Sequence, residues 1–116
     1  MGRLILLNAF PLNAFQIQMS KATVFLVQRV PADHVKELVE WCKQHNIPIE
    51  CYIRHPATVQ VLSRMLNIEL KPSSELYNYQ QGDVIIVIAL RRPIRGQEVE
   101  NISIDDLDIY RIDVRP

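Results

Sequence analysis

Cysteine is scarce: Cys42 and Cys51 are the only two in the 116-residue chain. They are too few for a structural zinc site built on cysteine and lack CxxC spacing, so metal binding through them is not expected. Cys42 falls on the apolar face of an expected helix and Cys51 in the strand after it. Two buried thiols are the expected state, with a disulfide as the alternative in a hyperthermophilic host. Long apolar runs are also missing. None approaches the ~20 residues that cross a bilayer, and the N-terminus lacks the apolar core and cleavage site of a signal peptide. A soluble, intracellular protein with no membrane partner is the expectation. Excess charge of either sign is absent too, with 13 Lys and Arg against 13 Asp and Glu. A general attraction to nucleic acid is therefore not indicated, and any such contact must be local. Without repeats, low-complexity tracts or linkers, residues 1–116 read as a single domain. At that size a binding cleft can be shared with a partner subunit, and a homodimer is the natural expectation.

What is there is an ordered series of short apolar segments. Arg3 to Leu7 reads as a first strand, ended by a loop with Asn8, Pro11 and Asn13. Ser20 to Val30, rich in Thr, Val and Phe, reads as a second. Pro31-Ala32-Asp33 then opens a helix with Val35, Leu38, Val39 and Cys42 on its apolar stripe and Trp41 off it. Ile47 to Ile53 is a short buried strand, and Val59, Leu62, Met65 and Leu66 recur at helical spacing up to about Asn67. Lys71 to Gly82 is polar and rich in Pro, Ser and Asn, a loop with room for one short helical turn. Val84 to Leu90 is apolar without alternation, as in a central strand covered on both faces. Arg91 to Gln97 is a polar loop, Ser103 to Asp106 a short capped turn, and Ile109 to Val114 an alternating edge or half-exposed strand. The order predicts an α/β domain, with α+β as the alternative, built on a mixed sheet of about five strands flanked by helices.

The densest chemistry lies at Ile53-Arg54-His55-Pro56-Ala57-Thr58-Val59-Gln60, where a strand gives way to a helix. Pro56 suits the first helical turn, because its missing N–H would have no partner there. His55 is thereby placed beside unpaired amide donors and the positive end of the helix dipole, a setting that suits a phosphate, with Thr58 adding a hydroxyl. The same position suits a simple capping histidine. Asn8 and Asn13 either hold a ligand or satisfy turn backbone. Arg91, Arg92 and Arg95 form the one dense basic cluster, followed by Glu98, Glu100, Asp105, Asp106 and Asp108. That pattern fits a compact anion better than a long duplex. Ligands of such sheets bind beyond strand ends, and Asn8, His55 and Arg92 each follow one; parallel strands would bring them together.

Three segments resemble the viral anti-CRISPR ring nucleases, a family of small archaeal-virus proteins. They are the strand ending in Asn8-Ala9-Phe10 with Asn13 following, the strand leading to His55-x-x-Thr58-x-Gln60, and the apolar strand leading to Arg92-x-x-x-Gly96. Together they span nearly the whole chain. The resemblance implies an enzyme of the host cytoplasm that opens cyclic tetra-adenylate, the messenger of type III CRISPR defence, in a symmetric pocket between two subunits. It implies no metal and no cofactor: a ribose 2′-hydroxyl attacks the adjacent phosphodiester and leaves a 2′,3′-cyclic phosphate. His55 would be the general acid and Arg92 would stabilise the phosphorane, while Asn8, Asn13, Thr58, Arg91 and Arg95 would serve ligand binding. The alternative is a homodimer that presents Arg91, Arg92 and Arg95 to double-stranded DNA, with His55 structural; a dimeric scaffold is a third possibility.

The chain departs from the family pattern at Arg95, where members described as active carry a glutamate. Arg95→Glu is therefore expected to preserve or raise turnover of cyclic tetra-adenylate. For a duplex binder the same change would lower DNA affinity and reduce its salt dependence, by a slope of ~0.9 for each phosphate that is no longer neutralised. Cleavage assays and DNA titrations over a salt series read out both.

Overall fold

A computed structural model describes residues 1–17, 21–91 and 103–115. Among them five strands form one mixed sheet in the order β2-β5-β4-β1-β3. These are β1 (Arg3–Leu7), β2 (Val24–Arg29), β3 (Ile49–Cys51), β4 (Asp83–Leu90) and β5 (Leu107–Arg115). β1 pairs in parallel with β3 on one side and β4 on the other, while β5 is antiparallel to both β4 and β2. The helices are α1 (Ala32–His45) and α2 (Pro56–Leu66). The chain is a single α+β domain, so of the two expected classes the α+β alternative holds.

The apolar runs become central strands because both faces are covered. Leu4, Leu6, Ile86 and Ile88 pack under the helices with Val35, Val39, Cys42, Val59 and Leu62. Ile5, Leu7, Ile85 and Val87 face the other way, against Ala14, Tyr77 and a shell of aromatic rings. Among the described residues only the first face carries α-helices. The second is roofed by a 3-10 turn at Leu12–Phe15 and by the 71–82 loop, which forms no helix. Phe10, Phe15 and Phe25 meet edge-to-face or stacked at 4.8–5.4 Å between centroids. Such pairing contributes beyond the area it buries.

Local chemistry sets the helix ends. Asp33 lies in the first turn of α1 and Lys43 and His45 in its last, complementing the dipole. Asn46 and Asn67 take left-handed conformations at the two C-caps, which asparagine tolerates. Trp41, off the stripe, is half exposed. One strand expectation needs adjustment and one is narrowed. The second strand begins at Val24, with residues 18–20 outside the described region; β2 is the edge, and of the two forms expected for the last strand β5 takes the half-exposed one. β5 alternates in burial, and Arg111 on it meets His34 of α1 at 3.2 Å. Both thiols are free, and burial raises the pKa of each.

One polar cluster ties the three parallel strands together at their starting end. Arg3 grips Asp83 with two bonds, Nε to Oδ1 at 2.9 Å and Nη2 to Oδ2 at 2.6 Å, and reaches Glu50 with Nη1 at 2.9 Å. The Tyr77 hydroxyl donates to Asp83 at 2.5 Å and the Tyr52 hydroxyl to Glu50 at 2.8 Å. Burial opposes ionisation of Asp83, yet Arg3, Tyr77 and the Gln80 amide outweigh it and hold the carboxyl below its ordinary range. Its side chain is 1% exposed. Arg3→Met should therefore cost about 3–5 kcal/mol in denaturant unfolding, because it strands a buried carboxylate. The Asp83 contribution is fully present above pH ~3.9, where an unfolded aspartate ionises, and is lost as pH falls through the lower folded value. Urea midpoints between about pH 2 and 6 check this: the acid-side decline should be shallower in Asp83→Asn.

Candidate functional site

Because β4, β1 and β3 are adjacent and parallel, their carboxyl ends open on one edge of the sheet. The condition for convergence is thus met in the backbone. Asn8 follows β1, Arg91 follows β4, and β3 leads through Tyr52 and the fully buried Ile53 to His55. Tyr52 N–H donates to Leu6 O at 2.9 Å and Ser73 N–H to Ile53 O at 2.9 Å, so the approach to His55 is held on both sides. Strand spacing puts the β3 and β4 backbones about 10 Å apart, with β1 between them.

His55 is the N-cap of α2, in extended conformation, with Pro56 in the first turn. Its Nδ1 accepts from the Thr58 N–H at 3.4 Å and lies 2.8 Å from Thr58 Oγ1. An accepting Nδ1 assigns the proton of the neutral ring to Nε2. Nε2 has no hydrogen-bond partner among the described residues. The ring is half buried, while Thr58 is 2% exposed. The sequence placed Thr58 beside a ligand phosphate; in the structure its hydroxyl faces the histidine.

A cavity of about 260 Å³ sits at these strand ends, lined by Asn8, Ala9, Tyr52, Arg54, Glu75 and Leu76 among others. Its tyrosines are held as neutral donors, since burial above all raises the pKa of both Tyr52 and Tyr77. Arg54 was not among the sequence candidates. It is exposed, and no described residue pairs with it. An arginine after a strand has no distinctive pattern, and only the parallel register brings it to Asn8. A larger cavity, about 920 Å³ and lined by Trp41, Tyr79, Arg111 and Asp113 among others, lies at the opposite end and holds none of the expected site residues.

The other candidates separate. Asn13 is exposed on the 3-10 turn over the second face, with no described contact to Asn8 or His55. Arg91 is engaged: Nε and Nη2 each reach Asp108 Oδ1 at 3.1 Å, and Arg29 meets the same oxygen at 2.6 Å. Asp108, one of the acidic residues expected to repel a polyanion, thus serves Arg91 of the basic cluster as a counterion. Arg92, Arg95 and Gly96 lie outside the described residues. Among the described residues no three His, Cys, Asp or Glu side chains cluster as metal ligands, and no helix is long and apolar enough to cross a membrane.

A family model described as STIV B116-like matches residues 4–114. No curated protein matches the chain. Among solved structures it is similar to B116 of Sulfolobus turreted icosahedral virus, at 14% identity and a TM-score of 0.73, over 96% of this chain and 98% of that one. At that identity the likeness is one of fold.

The cap allows stability and chemistry to be separated at His55. His55→Ala should lower stability by about 1 kcal/mol through loss of the N-cap, whereas His55→Asn, with a good capping side chain, should stay near wild type. Thermal and urea unfolding of the two variants measures the difference.

Proposed function

The chain belongs to the STIV B116-like family of archaeal-virus proteins, and from that premise we propose that it is a metal-independent ring nuclease acting on cyclic tetra-adenylate. The observation that carries this reading is His55. It is pinned through Nδ1, with Nε2 unpartnered among the described residues, at the edge where three parallel strands end. The three sequence motifs around Asn8, His55 and Arg92 supply the substrate class.

In this reading a ribose 2′-oxygen attacks the adjacent phosphorus while the bond to the 5′-oxygen breaks. The leaving oxygen takes a proton from Nε2 of the His55 imidazolium, and the 2′-hydroxyl proton passes to water. The products are a 2′,3′-cyclic phosphate and a free 5′-hydroxyl. General-acid help of this kind is worth ~10²- to 10⁴-fold. Arg92 would stabilise the charge on the phosphorane, since a guanidinium fork matches phosphate geometry. Arg54 and Asn8, joined by the cavity at the strand ends, would hold ground-state phosphate and ribose or base. Two copies of the chain would complete the pocket around a cyclic, symmetric ligand. The duplex-binding alternative is weakened at one of its three arginines, because Arg91 already faces Asp108.

Incubation of the pure protein with cyclic tetra-adenylate, followed by chromatography, is the test. Linear products with 2′,3′-cyclic phosphate ends are expected, with or without a chelator. His55→Asn should abolish them while keeping ligand affinity within about tenfold, because a general acid acts on the transition state. An intact ring after exhaustive incubation, or activity that vanishes in chelator and returns with a divalent ion, would overturn the proposal.

A further inference from the structure

Thr58 is buried to 2% exposure, and its hydroxyl lies 2.8 Å from the ring nitrogen that also receives the Thr58 amide. We infer that this hydroxyl is a positioning group that keeps the His55 ring in one orientation in both of its protonation states. The inference rests on the reading of His55 as a general acid, but the contact itself does not.

The two partners of Nδ1 differ in what they can do. A backbone N–H only donates, so it suits the lone pair on Nδ1 of the neutral ring and opposes an Nδ1–H. A hydroxyl donates or accepts according to how its hydrogen rotates. It can give its proton to Nδ1 when the ring is neutral and accept from Nδ1–H when the ring is an imidazolium. A general acid passes through both states in every cycle. With the amide alone, the charged ring would have a half-buried N–H without an acceptor, and would swing away or stay neutral. With the hydroxyl it need not move. Nε2 then faces the same direction before and after it gives up its proton. The ordinary interpretation, a buried threonine merely satisfying its own hydroxyl, predicts no effect on the ring. Among the described residues no buried side-chain polar atom lacks a partner, so satisfaction by itself does not single out this pair.

The test compares wild type with Thr58→Val, which keeps the side-chain shape, and Thr58→Ser, which keeps the hydroxyl. Long-range proton–nitrogen spectra of the histidine rings report the tautomer of the neutral ring and, at low pH, the exchange protection of the imidazolium Nδ1–H, and steady-state kinetics on cyclic tetra-adenylate report kcat and KM. In wild type the neutral His55 ring should be the single Nε2–H tautomer. Thr58→Val should keep that tautomer, because the amide remains, but should lose the protected Nδ1–H signal of the imidazolium and show a kcat at least ~10-fold lower, with KM within ~3-fold, since the loss falls on the reacting geometry rather than on binding. Thr58→Ser should restore both. A protected imidazolium Nδ1–H or an unchanged kcat in Thr58→Val would overturn the inference, as would an Nδ1–H tautomer of the neutral ring in wild type. If the wild-type protein opens no ring, the nuclease reading falls, and the imidazolium Nδ1–H of the three proteins alone decides whether Thr58 positions His55.

Discussion

Parallel pairing of β1 with β3 and β4 is the constraint from which the rest of this molecule follows. Parallel neighbours cannot be joined by tight turns, so the chain must cross the sheet between them, and α1 and α2 are those crossings. Their burial against Leu4, Leu6 and Ile86 covers one face. The same pairing puts the amino ends of the three strands on one edge and their carboxyl ends on the other. The two edges have different work. At the first, Arg3 bridges Asp83 of β4 and Glu50 of β3 and so opposes slippage of either neighbour. At the second, the chain leaves the sheet three times and brings Asn8, His55 and Arg91 to one side.

The ion cluster at one end and the candidate site at the other are linked through Tyr52 and Tyr77. Their hydroxyls are committed to Glu50 and Asp83, and their rings lie 5.4 Å apart. Both residues line the cavity at the strand ends. The wall of the candidate site is therefore anchored by the ion cluster that registers the strands. This is how a small domain holds polar groups still without a long helix beneath them. Precise placement of a site depends on such support from packed neighbours.

At His55 the demands of folding and of the proposed chemistry fall on the same side chain. A helix start needs an acceptor for its free amides, and Nδ1 is that acceptor. Capping then dictates the tautomer and leaves Nε2 as the group available to a ligand. An aspartate or serine would cap as well but could not donate a proton at the other end of its side chain. The charged loops show a similar economy: Asp108 takes two guanidinium groups at once, although exposed pairs of this kind add little to stability.

Much of this was legible in the chain itself. Periodicity located β1, β4 and the starts of both helices to within a residue or two, because a fully apolar run and a 3.6-residue stripe are local records of how many sides of an element are buried. Pro56 and the Ser103-to-Asp106 capping box likewise announce their turns locally, and the box is present. His55 stood out for the same reason. What the sequence could not determine was everything that depends on which strand lies beside which. The edge position of β2, the pairing of Arg3 with Asp83 across 80 residues, and the meeting of Arg91 with Asp108 are contacts between distant segments that leave no periodic mark. Arg54 became visible only when parallel register set it beside Asn8, and Thr58 changed from a phosphate donor to a partner of His55 only when burial turned its hydroxyl inward. Local patterns encode how much of each element is buried. Tertiary structure alone decides against what, because that choice is made by the whole core at once.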